Sequence, residues 1–130
     1  MKAIEVSLNI GGVVETAKIE CDRKRPSLVF MMKDGLKKQY SASDLFICLG
    51  MLRADFPHIK FLCKGAKLNV YPSRMCSQMA GGIVAYELQM GRTSELEDIV
   101  NIFDFENTDI TDKIEKQREF YERWIDSLGQ

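Results

Sequence analysis

Residues 69–91 read NVYPSRMCSQMAGGIVAYELQMG, and the fold of the chain turns on how this stretch is placed. At about 100° per residue, Met75, Met79, Gly82, Ile83, Tyr86 and Met90 fall on one stripe of a helix, with Cys76, Ala80, Val84 and Leu88 beside it. Only a narrow polar arc is left, carrying Arg74, Ser77, Gln78 and Gln89. The spacing predicts a helix over about 73–90 that is central and largely buried, begun by Pro72 and Ser73 and stopped by Gly91. Gly81 and Gly82 would each cost such a helix about 1 kcal/mol relative to alanine, which close packing against a neighbour could offset.

Upstream, Ile4, Val6, Leu8 and Ile10 alternate with polar residues, the period of a strand with one wet face. Gly11-Gly12 turns this strand into a hairpin, pairing Ile10 with Val13, Val6 with Ala17 and Ile4 with Ile19, and leaving Glu15 opposite Leu8. After the break at 22–26, strands are expected over 28–32 and 36–40 around Asp34-Gly35. Ser41 or Ser43 is placed to cap a helix with the stripe Leu45, Leu49, Leu52 and Phe56, which Pro57 ends. Ile59, Phe61 and Cys63 alternate as a further strand, and residues 67–71 lead into the stretch quoted above.

Downstream, 99–105 is β-branched and aromatic enough for a strand. A last amphipathic helix carries Ile110, Ile114, Gln117, Tyr121, Trp124, Ile125 and Leu128 on one stripe. Without regular βαβ alternation or internal repeats, the economical architecture is α+β: mainly antiparallel sheet packed with about three helices, in one domain spanning 1–130.

The chain has 130 residues, of which 45% are hydrophobic and 28% charged, an ordinary balance for a water-exposed domain without a spanning segment. The N-terminal residues alternate as a strand does and do not read as a signal peptide, so a cytoplasmic protein is expected, with no membrane partner. Cys21, Cys48, Cys63 and Cys76 form no CxxC or CxxH pair, and His58 is the only histidine; the spacing suits buried thiols and offers no zinc site. His58 between strand residues gives no support for nucleophilic catalysis, and neither glycine pair precedes a helix as a phosphate loop would. An enzyme and a cofactor are therefore not expected.

The net charge of −1 is unevenly spread. Residues 1–92 carry 14 Lys and Arg against 8 Asp and Glu, a balance of +6, whereas 93–130 carry 4 against 11, a balance of −7. Seven carboxylates, Glu95, Glu97, Asp98, Asp104, Glu106, Asp109 and Asp112, follow one another without an intervening Lys or Arg. Asp109 and Asp112 are expected at the start of the last helix, where negative charge complements the macrodipole. Glu95, Glu97, Asp98, Asp104, Glu106 and Asp109 are the candidate partner-binding residues, a surface that would steer a basic partner. A rival reading is a small nucleic-acid-binding regulator using Arg23-Lys24-Arg25 and Lys37-Lys38; a third is a small-molecule pocket beside Gly81 and Gly82.

Tyr71-Pro72-Ser73-Arg74-Met75, Gln78-Met79, Gly82, Ala85-Tyr86, Leu88, Gly91 and Ile102-Phe103-Asp104 together resemble the CdiI immunity proteins of bacterial contact-dependent growth inhibition. The likeness covers roughly 71–105. It implies a small cytoplasmic protein that binds and neutralises a cognate CdiA C-terminal toxin domain by stoichiometric occlusion. A nuclease acting on RNA or tRNA is the favoured toxin. The resemblance leaves room for a third protein, such as elongation factor Tu, bound through the toxin, and implies no direct nucleic-acid contact.

Overall fold

Alternation in the first twenty residues becomes a hairpin in the register that it predicts. In a computed structural model describing residues 3–129, β1 (Ala3–Ile10) pairs antiparallel with β2 (Val13–Asp22), matching Ile10 with Val13, Val6 with Ala17 and Ile4 with Ile19. Met1, Lys2 and Gln130 of the expected domain lie outside the described residues. Gly11 and Gly12 supply φ of 60° and 91° at the turn, where the Gly12 N–H donates to Asn9 Oδ1 at 2.9 Å. Glu15 stands opposite Leu8 as expected; it is half-buried while Leu8 is fully buried. With β3 (Ser27–Met31), β4 (Lys37–Ser41) and β5 (Ile59–Leu62), these strands form an antiparallel sheet in the order β4-β3-β2-β1-β5.

Helix α1 (Leu45–Asp55) is the central helix of the fold. Leu45, Phe46, Cys48, Leu49 and Leu52 have no more than 1% of their surface exposed, because the helix is apolar around its circumference, packs on β3, β4 and β5, and meets Tyr71 on another side through Phe46, ring to ring at 5.4 Å. Its cap is Asp44, correcting Ser41 or Ser43: the Ile47 N–H donates to Asp44 Oδ1 at 2.8 Å, a bond that needs the side chain immediately before the first turn.

The stretch 69–91 departs from the single helix expected over 73–90. It forms β6 (Val70–Tyr71), α2 (Arg74–Ala80) and β7 (Val84–Glu87), and with β8 (Ile99–Asn101) it builds a second antiparallel sheet in the order β6-β7-β8. The expected start holds, since the Cys76 N–H donates to Ser73 Oγ at 3.1 Å. The stop comes ten residues early because Gly81 and Gly82 adopt φ of 63° and 77°, the left-handed conformation that ends a helix. The Gly81 carbonyl accepts from the Leu45 N–H at 2.7 Å, joining the end of α2 to the start of α1. α2 lies at the surface, with Met79 82% exposed. The α+β class, the antiparallel pairing and the three helices stand; the buried central helix is α1.

Helix α3 (Ile114–Leu128) begins after both Asp109 and Asp112, with Lys113 at its N-cap and Glu115 in its first turn. Neither aspartate therefore occupies the helix start expected for it, and Asp109 instead takes a left-handed φ of 56° in the preceding loop. A buried strut ties α3 inward. Arg53, with none of its surface exposed, donates at 2.6 Å both to the Thr111 carbonyl and to Gln117 Oε1. Gln117 Nε2 in turn donates to the carbonyls of Gly65 and Lys67 at 2.9 and 2.8 Å. Burial lowers the Arg53 pKa to about 10 and pushes the Cys63 thiol up to about 11. One hydrophobic core runs through both sheets, from Val6, Leu8, Ile19 and Phe30 to Val70, Ala85 and Ile102.

Candidate partner-binding face

The acidic stretch is continuous in sequence and divided in space. Glu106 belongs to a four-charge cluster: Lys64 Nζ reaches Glu87 and Glu106 at 2.9 Å each, and Lys67 Nζ reaches both at 3.1 Å. The Asn107 and Thr108 N–H groups also donate to Glu106 Oε2 at 3.0 Å. The Lys64 ammonium, followed by Lys67 and the Thr108 N–H, holds the Glu106 carboxyl at about 2. Glu106 thus fastens its loop to β7 and to the 3-10 turn Lys64–Ala66. Glu95 and Asp98 form a reciprocal capping box around the turn Leu96–Asp98, with the Glu95 N–H donating to Asp98 Oδ2 at 2.9 Å. The Arg92 guanidinium lies 3.6 Å from Asp98 and 3.7 Å from Glu97.

Asp104 and Asp109 are different. Both are exposed, and among the described residues neither side chain has a hydrogen bond or an ion pair. Asp104 precedes Phe105 in the chain and Asp109 shares a depression with it; Phe105 is 60% exposed yet held by its backbone, since Phe105 bridges to Cys63 and the Glu106 N–H donates to the Leu62 carbonyl at 3.2 Å. Beside it stands Val14 of the hairpin tip, 62% exposed. Val14, Phe105, Leu62 and Ile110 line a depression of ≈ 500 Å³ together with the polar residues Asn9, Lys60, Asn107 and Asp109. Apolar anchors beside one free carboxylate and one lysine can receive a protein surface carrying both polar and apolar side chains.

Of the six candidate residues, the structure brings Asp109 to this face, leaves Asp104 exposed next to Phe105 in the chain, ties Glu106 to Lys64 and Lys67, and keeps Glu95, Glu97 and Asp98 in their own turn. Sequence reasoning missed Phe105 and Val14. Their signals were present: a phenylalanine between two acids in Asp104-Phe105-Glu106, and adjacent valines at a hairpin tip, one of which must face outward in any strand.

The basic residues of the rival reading do not converge. Arg23, Lys24 and Arg25 lie in the turn before β3, whereas Lys37 and Lys38 pair with Met31 and Phe30 at its far end. The space beside the glycine pair is filled: a Cβ on Gly81 would stand 2.7 Å from the Arg23 carbonyl oxygen, and one on Gly82 would stand 2.9 Å from Asp44 Cβ. His58 is exposed, its ring 6.3 Å from that of Phe56. Three of the four thiols are buried and Cys21 is half-buried; all four are free. Among the described residues no three His, Cys, Asp or Glu side chains gather as a metal site, and no helix is long and apolar enough to cross a membrane. No protein-family model and no curated protein matches the chain.

Proposed function

We propose that the protein works by stoichiometric binding, as an immunity protein of the contact-dependent growth inhibition type that covers a cognate CdiA C-terminal toxin domain. The observation that carries the reading is the exposed Phe105 set beside Val14 and the unpaired carboxylate of Asp109. An exposed aromatic on a backbone stitched to β5 is a preorganised anchor, and the free Asp109 carboxylate beside it can pair with a basic group on a partner such as a nuclease. Occlusion asks for no reactive group on this chain. It asks for a rigid surface of the right shape and sign.

The test is a search of the gene immediately upstream for the C-terminal part of a large secreted protein, then coexpression with that fragment, copurification and a nucleic-acid cleavage assay. A one-to-one complex without cleavage activity is expected. A fragment that stays active and elutes alone, beside a folded partner, would overturn the proposal.

A further inference from the structure

The edges of the five-stranded sheet are not treated alike. Along β4 the edge carries Lys37 and Lys38, both exposed, a charge guard against further pairing. Along β5 the loop after β8 covers the edge, through the Cys63–Phe105 bridge and the Glu106 N–H on the Leu62 carbonyl. A further stretch of edge belongs to β2. Its neighbour β3 ends at Met31, opposite Lys18, so residues 13–16 pair with β1 on one side and with no strand on the other.

The hydrogen-bonding groups of this half-edge have a fixed direction. The turn Gly11-Gly12 makes Ile10 and Val13 a bonded pair, as a two-residue hairpin does, and bonded pairs recur at every second residue. Val14 and Thr16 therefore turn their N–H and C=O groups away from β1. The far side agrees: the Met32 N–H donates to the Leu36 carbonyl at 2.9 Å, towards β4, which leaves Met31 facing Lys18 and keeps the alternation in phase. Among the described residues no group bonds to the Val14 or Thr16 backbone from this side. Where β3 stops, Thr16, Ala17 and Lys18 with Met31, Met32 and Lys33 line a notch of ≈ 310 Å³, at the place where a strand continuing the line of β3 would enter.

Side chains restrict what fits. Val13 and Val14 are 63% and 62% exposed, a surface that edge strands usually avoid. Glu15 is half-buried, and among the described residues its carboxylate has no ion pair or hydrogen bond. In an added antiparallel strand the residue opposite Glu15 falls in a non-bonded pair, where Cα atoms approach to about 4.5 Å and side chains meet most closely. A second copy of this chain is disfavoured there. The register that bonds both Val14 and Thr16 to a copy sets Glu15 against its own copy, and like charges directly opposite destabilise. A strand with a cation at that position gains instead.

We propose that residues 13–16 receive an extended segment of a partner protein, added antiparallel to β2, with a lysine or arginine opposite Glu15, an apolar residue opposite Val13 and its leading end in the notch. The site shares Val14 with the face described above, but its occupancy does not depend on the partner's being a toxin.

The probe is a synthetic disulfide-closed β-hairpin whose outer strand reads Thr-Lys-Thr-Val, from the residue opposite Thr16 to the residue opposite Val13. Amide NMR spectra of the labelled protein report its binding residue by residue. Saturable shifts centred on the Val14 and Thr16 amides are expected, with their exchange with solvent slowed about tenfold at saturation. Glutamate in place of the hairpin's lysine should weaken binding about tenfold. Glu15→Lys should invert that preference and Glu15→Gln should erase it, with the thermal melting of both variants near the parent. N-methylation of both threonine amides in the hairpin should abolish binding, because it removes the donors the edge requires. No shift at Val14 and Thr16 with millimolar hairpin, undiminished binding of the N-methylated form, or a preference for lysine that survives Glu15→Lys would overturn the proposal. So would dimerisation of the unmodified protein with protection of the same amides, which would give the edge to a second copy instead.

Discussion

Gln117 is a polar side chain in the apolar stripe of α3, and its burial makes that anomaly informative. Its amide connects a buried guanidinium on α1 to carbonyls of the segment before β6. Gln117→Leu keeps the volume and removes every one of these bonds, so a loss of about 3–5 kcal/mol in urea unfolding is expected, because Arg53 is left charged and short of an acceptor. Adding Arg53→Met should recover most of that loss, since removing both partners of a buried pair costs far less than removing one. Arg53 could have been found from sequence, as a cation in a helix otherwise apolar on every face; what no pattern supplies is the partner 64 residues away. Glu106 makes a second prediction. Its folded pKa lies at about 2, below the ordinary carboxylate value, so its stabilising contribution is complete above that ordinary value and is lost as pH falls towards 2. Glu106→Gln should lower stability by about 1 kcal/mol at neutral pH, and the gap between variant and parent should close in denaturation curves as the pH is lowered from about 4.5 to 2.

Elements were legible where local pattern and tertiary demand agree. The β1–β2 register follows from alternation and a two-glycine turn, because a slip by one residue would turn Val6, Leu8 and Ile19 outward. The stretch 69–91 offered no such constraint: a run of apolar residues satisfies a helical wheel and a buried strand equally, and the decision lies in the backbone of Gly81 and Gly82. Two adjacent glycines are weak helix formers and strong helix ends, and Ile83-Val84 after them is β-branched. This gives Gly82 a different role from the one expected of it. Gly82→Ala should lower stability by about 1–3 kcal/mol, since the new methyl meets Asp44 Cβ at 2.9 Å and the residue must keep φ of 77°. Gly91→Ala, also at φ of 77° but with open space around it, isolates the backbone part and should cost about 1 kcal/mol. Thermal melting of the two variants side by side separates strain from collision.

Across the whole molecule, the excess of acid after residue 92 is real, but sequence proximity overstated its unity. Carboxylates serve two purposes there. Glu106, Glu95 and Asp98 hold the chain in place, and Asp104 and Asp109 remain free to meet a partner. If the proposed toxin domain is the partner, Asp104→Lys and Asp109→Lys should slow association with it and weaken the salt dependence, with stability moved by no more than about 0.5 kcal/mol. Phe105→Ala should act through dissociation, at a cost of about 2 kcal/mol or more in binding. Glu95→Lys and Glu97→Lys should leave both rates nearly unchanged, and surface plasmon resonance at two salt concentrations distinguishes these outcomes. Which acids are spoken for could not be read from the chain, because Lys64 and Lys67 lie some forty residues before Glu106. The strut through Arg53 has a further consequence, in time instead of space. A ribosome delivers the five-stranded sheet and α1 first, yet the guanidinium in their core has no acceptor until Thr111 and Gln117 have emerged. The nascent chain must stay open, or keep Arg53 in water, until that segment arrives, so closure of the core waits for α3 and any binding partner meets a protein that becomes whole only once α3 has docked.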